Sequence, residues 1–92
     1  MFLDSSTPVF FVLGATDMRK GIDSLSMIVA AHDKNPVDGS LYVFCSKNRK
    51  AIKVLYWDKN GFALYQKRLE SEKYLWPDHS CDTIEISLTQ LR

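Results

Sequence analysis

The side chains that most often do chemistry are few in this chain. His32 and His79 are the two histidines, and Cys45 and Cys81 the two cysteines. A metal site needs such ligands at short, repeated spacings, and neither H-x-x-H nor C-x-x-C occurs. Both histidines read as solvated loop residues, and neither a metal nor a cofactor is expected. Cys45 lies inside an apolar run, where a buried free thiol is the ordinary state. Asp17, Asp23 and Asp58 fall near element ends, where the carboxylates of a metal-dependent nuclease gather. Two-metal chemistry needs those carboxylates to converge. Each has a simpler task here: Asp17 to cap a helix, Asp23 to sit in its first turn, Asp58 to open a turn. There is no G-x-S-x-G elbow and no glycine-rich phosphate loop. The chain is read as a non-enzyme, with a nuclease as the weakest alternative.

Basic side chains carry the stronger signal. The net charge of +1 is unevenly spread. Residues 1–46 carry a net −2, residues 47–76 a net +5 and residues 77–92 a net −2. A local patch of this kind attracts a polyanion even when the whole chain is near neutral. Lys47, Arg49 and Lys50 cluster at one hairpin tip, Lys53 lies on the next strand, and Lys67 and Arg68 end the strand after that. These six are the candidate nucleic-acid-binding residues. Along the middle strand Lys53, Leu55 and Trp57 face one way, and Ile52, Val54 and Tyr56 the other. One face therefore combines cations, which meet phosphates, with rings that stack on unpaired bases. A second reading stays open: Tyr56, Trp57, Phe62 and Tyr65 form core, and the lysines solubilise a tip or guard a strand edge. Arg19, beside Lys20 and Gly21, is either an exposed basic group or the ion-pair partner of Asp17.

The elements that position these residues follow from pattern. Ninety-two residues make a single domain, 1–92. No run approaches the length of a membrane span. The first residues lack a basic start, and Asp4 and Pro8 interrupt their apolar stretch, so a cytoplasmic protein is expected. Val9–Leu13 is a short continuous β-prone run, expected to be buried on both faces. Thr16 and Asp17 are N-cap candidates for a helix carrying Ile22, Leu25, Ile28 and Val29 at helical spacing, with Gly21 as a later starting point. Residues 33–40 are loop. Leu41–Ser46, Ala51–Trp57 and Phe62–Leu69 are three strands joined by tight turns, with Asn60-Gly61 supplying the positive-φ residues of the second. Short links make such neighbours antiparallel. Tyr74–Trp76 reads as a brief edge strand stopped by Pro77, and Thr83–Ser87 as a half-exposed strand. The fold class is α+β: an antiparallel meander of five to six strands with one main helix packed on it. Whether it stays a sheet or curls into a partly open barrel is left open by the sequence.

Taken in order, several segments form a recognisable set: Asp17, Met18, Arg19 and Gly21; Gly39, Leu41, Val43 and Phe44; Lys53, Leu55 and Trp57; Asp58, Gly61 and Phe62; Lys67, Arg68 and Leu69; Trp76 and Pro77. Across residues 9–91 the chain resembles the TnpB accessory proteins of the insertion sequence sixty-six family of bacterial transposons. That resemblance implies a non-catalytic accessory factor of DNA transposition, encoded beside a larger transposase. It implies action by binding DNA, the co-encoded transposase, or both. A pure protein adaptor without DNA contact is the alternative. Aromatic and arginine side chains are the usual interface anchors, so Arg19, Trp57 and Trp76 are the candidate partner-binding residues. Relatives continue past the L-T-x-x-Q-L segment, which implies a C-terminal helix cut short at Arg92.

Overall fold

The computed structural model describes residues 7–73 and the backbone of a strand at 83–86. Its elements are β1 (Val9–Val12), α1 (Ile22–Ala31), β2 (Leu41–Cys45), β3 (Ala51–Asp58), β4 (Gly61–Arg68) and β5 (Thr83–Ile86). The strands form one mixed sheet in the order β4-β3-β2-β1-β5. With one helix on it, the fold is α+β. β4 and β5 stand at the two ends of that order. The expected edge strand at Tyr74–Trp76 and the short C-terminal helix lie outside the described residues.

One expectation is corrected. The sheet is not a simple antiparallel meander, because β1 runs parallel to β2, with Val9 opposite Leu41 and Phe11 opposite Val43. The reason is the connection. A parallel pair needs a crossover of a dozen or more residues, usually a helix, and the segment holding α1 supplies it. β1 is thereby an interior strand, paired antiparallel to β5 on its other side. β2–β3 and β3–β4 are antiparallel hairpins.

Alternation assigns the two faces of the sheet. Val12, Tyr42, Phe44 and Leu55 are buried beneath Leu25 and Val29 of α1, with Ile22, Ile28, Phe62 and Leu64 packed around them. The opposite face carries Val9, Leu41, Val43, Cys45, Ile52 and Val54, with Phe11 and Tyr56 against them. Val9 and Val12, three residues apart, thus belong to different faces, which suits the continuous apolar run of β1. Burial also pushes the Cys45 thiol above its ordinary pKa.

The helix ends differ from expectation. Gly21, with φ −98°, is the N-cap of α1, and no side chain caps it. Thr16 and Asp17 do not serve, because α1 begins only at Ile22, with Gly21 at the cap position, and they stand in the turn before it. The Thr16 N–H donates to the Cys45 carbonyl at 2.8 Å, and Asp17 is occupied by Arg19. At the other end the Asp33 and Lys34 N–H groups donate to the carbonyls of Ala30 and Val29, at 3.1 and 3.3 Å. This is a Schellman closure with Asp33 at φ 61°, where glycine is usual. His32 belongs to the same cap, its Nδ1 lying 2.8 Å from the Ile28 carbonyl. It is not the free loop residue expected. Beyond the cap, the Lys34 ammonium lies 4.3 Å from the Phe10 ring centre, and Phe10 stacks on Tyr42. The loop is tied down by Tyr42, whose hydroxyl donates to Asp38 Oδ2 at 2.8 Å and lies 3.1 Å from the Asn35 carbonyl.

Candidate nucleic-acid interface

Two chain-distant segments meet at one end of the helix-side face. The first is the turn 15–20 that leads into α1. The second is the β2–β3 hairpin tip, with the last residues of β4 beside it. Between them lies an open groove of about 990 Å³, lined by Ala15–Arg19, Ser46–Asn48, Lys50, Ala51, Gln66 and Arg68. Among the described residues, four cationic ones (Arg19, Lys47, Lys50 and Arg68) and one carboxylate (Asp17) line it.

The hairpin wall is built by Asn48. Its Oδ1 accepts from the Ser46 hydroxyl at 2.7 Å and from the Lys50 N–H at 3.0 Å. The Arg49 N–H donates to the Ser46 carbonyl at 3.0 Å, and the Ser46 N–H to the Ala51 carbonyl at 2.9 Å. Arg49 takes φ 63° to complete the reversal. These bonds hold Lys47 and Lys50 on the groove side, whereas Arg49 is exposed and not among the lining residues.

The opposite wall is the 17–20 turn. Asp17 Oδ1 accepts the Arg19 N–H at 2.9 Å, and the Lys20 N–H donates to the Asp17 carbonyl at 3.1 Å. The Arg19 guanidinium lies along the Asp17 carboxylate, with Nε 3.1 Å from both oxygens and Nη2 2.7 Å from Oδ2. The Asp17 carboxyl is held far below its ordinary value, first by these side-chain bonds and then by the Arg19 N–H. Both groups are open to solvent, the Arg19 side chain at 91% and that of Asp17 at 43%, so their pairing adds little stability.

Lys53 ties the two walls to the core. Its residue is 7% exposed, and its Nζ donates to the Lys20 carbonyl at 2.8 Å. The ammonium expected on the surface instead supports the turn from beneath. Lys67 and Arg68, read together in the sequence, are separated by the sheet. Arg68 is opposite Ala51 and faces the groove, while Lys67 is opposite Ile52 and projects from the other face. Arg68 also pairs with Glu70 at 3.0 Å, both largely exposed.

Trp57 is opposite Phe62, in edge-to-face contact at 5.1 Å between ring centres. That pair lies six residues along β3 from the Ala51–Arg68 pair, roughly 20 Å away at strand rise. Aromatic and cationic side chains thus share a face but not a site. Trp76 lies outside the described residues. The β3–β4 turn also differs from expectation: Lys59, not Asn60 or Gly61, takes the positive φ of 57°, and Gly61 is already paired with Asp58 in the ladder. Among the described residues no group of His, Cys, Asp and Glu side chains forms a metal cluster, and no helix is long and apolar enough to cross a membrane.

Sequence reasoning did not join Arg19 to the hairpin, and it missed Asn48, Ser46 and Gln66 as members of the same site. Asn48 was findable, since Asn in a Ser-x-Asn turn bonds the backbone two residues on. Gln66 gave no local signal.

One known family matches the chain. The family described as IS66 Orf2 like protein matches residues 7–92. A protein of Sinorhizobium fredii strain NGR234, named uncharacterized protein y4hO, is 39% identical over 84 residues, covering 90% of this chain and 73% of the relative. A second from that strain, uncharacterized protein y4jC, is 36% identical over 62 residues, covering 66% of this chain and about half (53%) of the relative. No solved structure matches. The ordered motifs and the match over nearly the whole length lead to one conclusion: the chain belongs to the IS66 Orf2-like family, a family associated with insertion sequences.

Proposed function

We propose that this protein serves insertion-sequence transposition as a non-catalytic accessory factor, gripping the phosphate backbone of duplex DNA in the groove between the 17–20 turn and the β2–β3 tip. The observation that carries this reading is the convergence of Arg19, Lys47, Lys50 and Arg68 on one open concavity. Phosphate contacts position a protein on DNA without reading sequence. Among the described residues no aromatic side chain lines the groove, so those walls offer phosphate contacts and not a stacking platform. Backbone binding to duplex is the mode that suits it.

The test is charge reversal, with a single reversal on a remote turn as the control. Lys47→Glu combined with Lys50→Glu lowers affinity for a transposon-end duplex about tenfold or more at moderate salt. Lys59→Glu, on the remote β3–β4 turn, changes it less than about twofold. Equal losses from the two proteins, or no loss from the first, reject the groove as the DNA site.

Docking on the co-encoded transposase is a second reading, favoured by the half-buried Trp57–Phe62 pair at the far end of the same face. Large rings at a surface are typical anchors of protein partners. A pull-down with the transposase decides it: Trp57→Ala reduces capture if the pair is the contact, and undiminished capture rejects it.

A further inference from the structure

We propose that Asp17 and Arg19 form a preset phosphate grip on one wall of the groove, in which Asp17 holds the guanidinium and the donors left over engage a backbone phosphate. This rests on the DNA-binding reading above and deepens it. A guanidinium has five N–H donors in a fixed plane. Asp17 takes the Nε donor and one of Nη2. Among the described residues nothing takes the second Nη2 donor or either Nη1 donor, which lie along the other edges of the plane. The outer donors of Nη1 and Nη2 share one edge and match the two non-bridging oxygens of a backbone phosphate.

The mounting supports the same role. The Asp17 carboxylate is anchored by the Arg19 N–H as well as by its side chain. The turn is fixed by Lys20 N–H to the Asp17 carbonyl and by Lys53 Nζ to the Lys20 carbonyl, a link between residues 33 positions apart. Thr16 N–H on the Cys45 carbonyl joins it to the end of β2. A side chain already held in its bound orientation loses less freedom on binding.

This geometry makes a signed prediction. By charge alone, the Asp17 carboxylate opposes a polyanion, and its removal tightens binding. As a positioning residue, its removal weakens binding although the net charge rises by one. Anisotropy titrations of the full chain on a labelled duplex, at salt concentrations between about 50 and 200 mM, separate the two. The proposal expects Asp17→Ala to weaken binding about three- to tenfold, and Asp17→Asn, which retains an acceptor for the Arg19 N–H, to weaken it less. It expects Arg19→Lys to weaken binding several-fold, as a point charge replaces a planar fork, with the salt slope unchanged; Arg19→Ala also shallows that slope by about 0.9. Tighter binding by Asp17→Ala overturns the grip and leaves the DNA reading standing. Wild-type affinity in Arg19→Lys, whose turn keeps its backbone bonds, overturns it equally. Absence of salt-dependent binding by the wild-type protein overturns the DNA reading and the grip together.

Discussion

Lys53→Met tests whether the groove is held up from below. Lys53 lies between Phe44 on β2 and Gln66 on β4, at 7% exposure, with its ammonium on the Lys20 carbonyl. Methionine keeps an unbranched stem and deletes the charge. The lost bond has a charged donor, of a kind that contributes about 1.5–3 kcal/mol. Two effects offset this. The buried ammonium no longer has to be desolvated, and the Lys20 carbonyl, on an exposed residue, is taken up by water. The expected net loss is about 1 kcal/mol, or roughly 4–8 °C in Tm for a domain of this size. Lys53→Ala also removes the buried stem and costs about 2–3 kcal/mol. Urea denaturation measures both. The same proteins are then titrated with duplex at several salt concentrations. If Lys53 only supports the turn, Lys53→Met weakens binding without changing the salt slope. A slope shallower by about 0.9 means that Lys53 itself meets a phosphate, which refutes its placement beneath the surface. Unchanged stability together with unchanged affinity refutes the tether.

Two further outcomes concern the scaffold. Tyr42→Phe removes the hydroxyl shared by Asp38 and Asn35 and costs about 1–2 kcal/mol by chemical denaturation. Burial first, and then the Asp38 carboxylate, raise this hydroxyl above its ordinary pKa of 10.0. The folded state therefore keeps the proton longer than the unfolded state, so this stability is full below about pH 10 and declines as pH rises beyond it. Wild type should lose more stability than Tyr42→Phe between about pH 10 and 12. Asp33→Gly relieves the left-handed residue of the α1 cap, φ 61°, and stabilises the protein by about 0.5–1 kcal/mol, read as a rise in Tm.

The hairpins were legible because their signals are local. Leu41–Cys45 and Ala51–Asp58 are continuous apolar, β-prone runs whose side chains alternate between two buried faces, and few residues separate them, which fixes an antiparallel pairing. The same alternation placed Leu55 on one face and Ile52 and Val54 on the other. The helical stripe likewise put Leu25 and Val29 in the core. The parallel β1–β2 pair was not local. A strand, a helix and a strand in succession pointed to it, but the direction of β1 depended on where the chain returned. The groove was hidden for the same reason. Arg19 and Lys50 are brought together by Thr16 on Cys45 and Lys53 on Lys20, contacts that no spacing along the chain reveals. Lys53 misled because its type argues for the surface, and only the carbonyl above it accounts for its burial.

The central claim is that four cations on one groove meet DNA phosphates. It is tested most directly by the salt dependence of the wild-type protein's affinity for a short duplex. With Arg19, Lys47, Lys50 and Arg68 all engaged, the logarithm of the association constant should fall with the logarithm of salt concentration with a slope of about −3 to −4. A slope near zero, or no measurable binding at about 50 mM salt, contradicts the account.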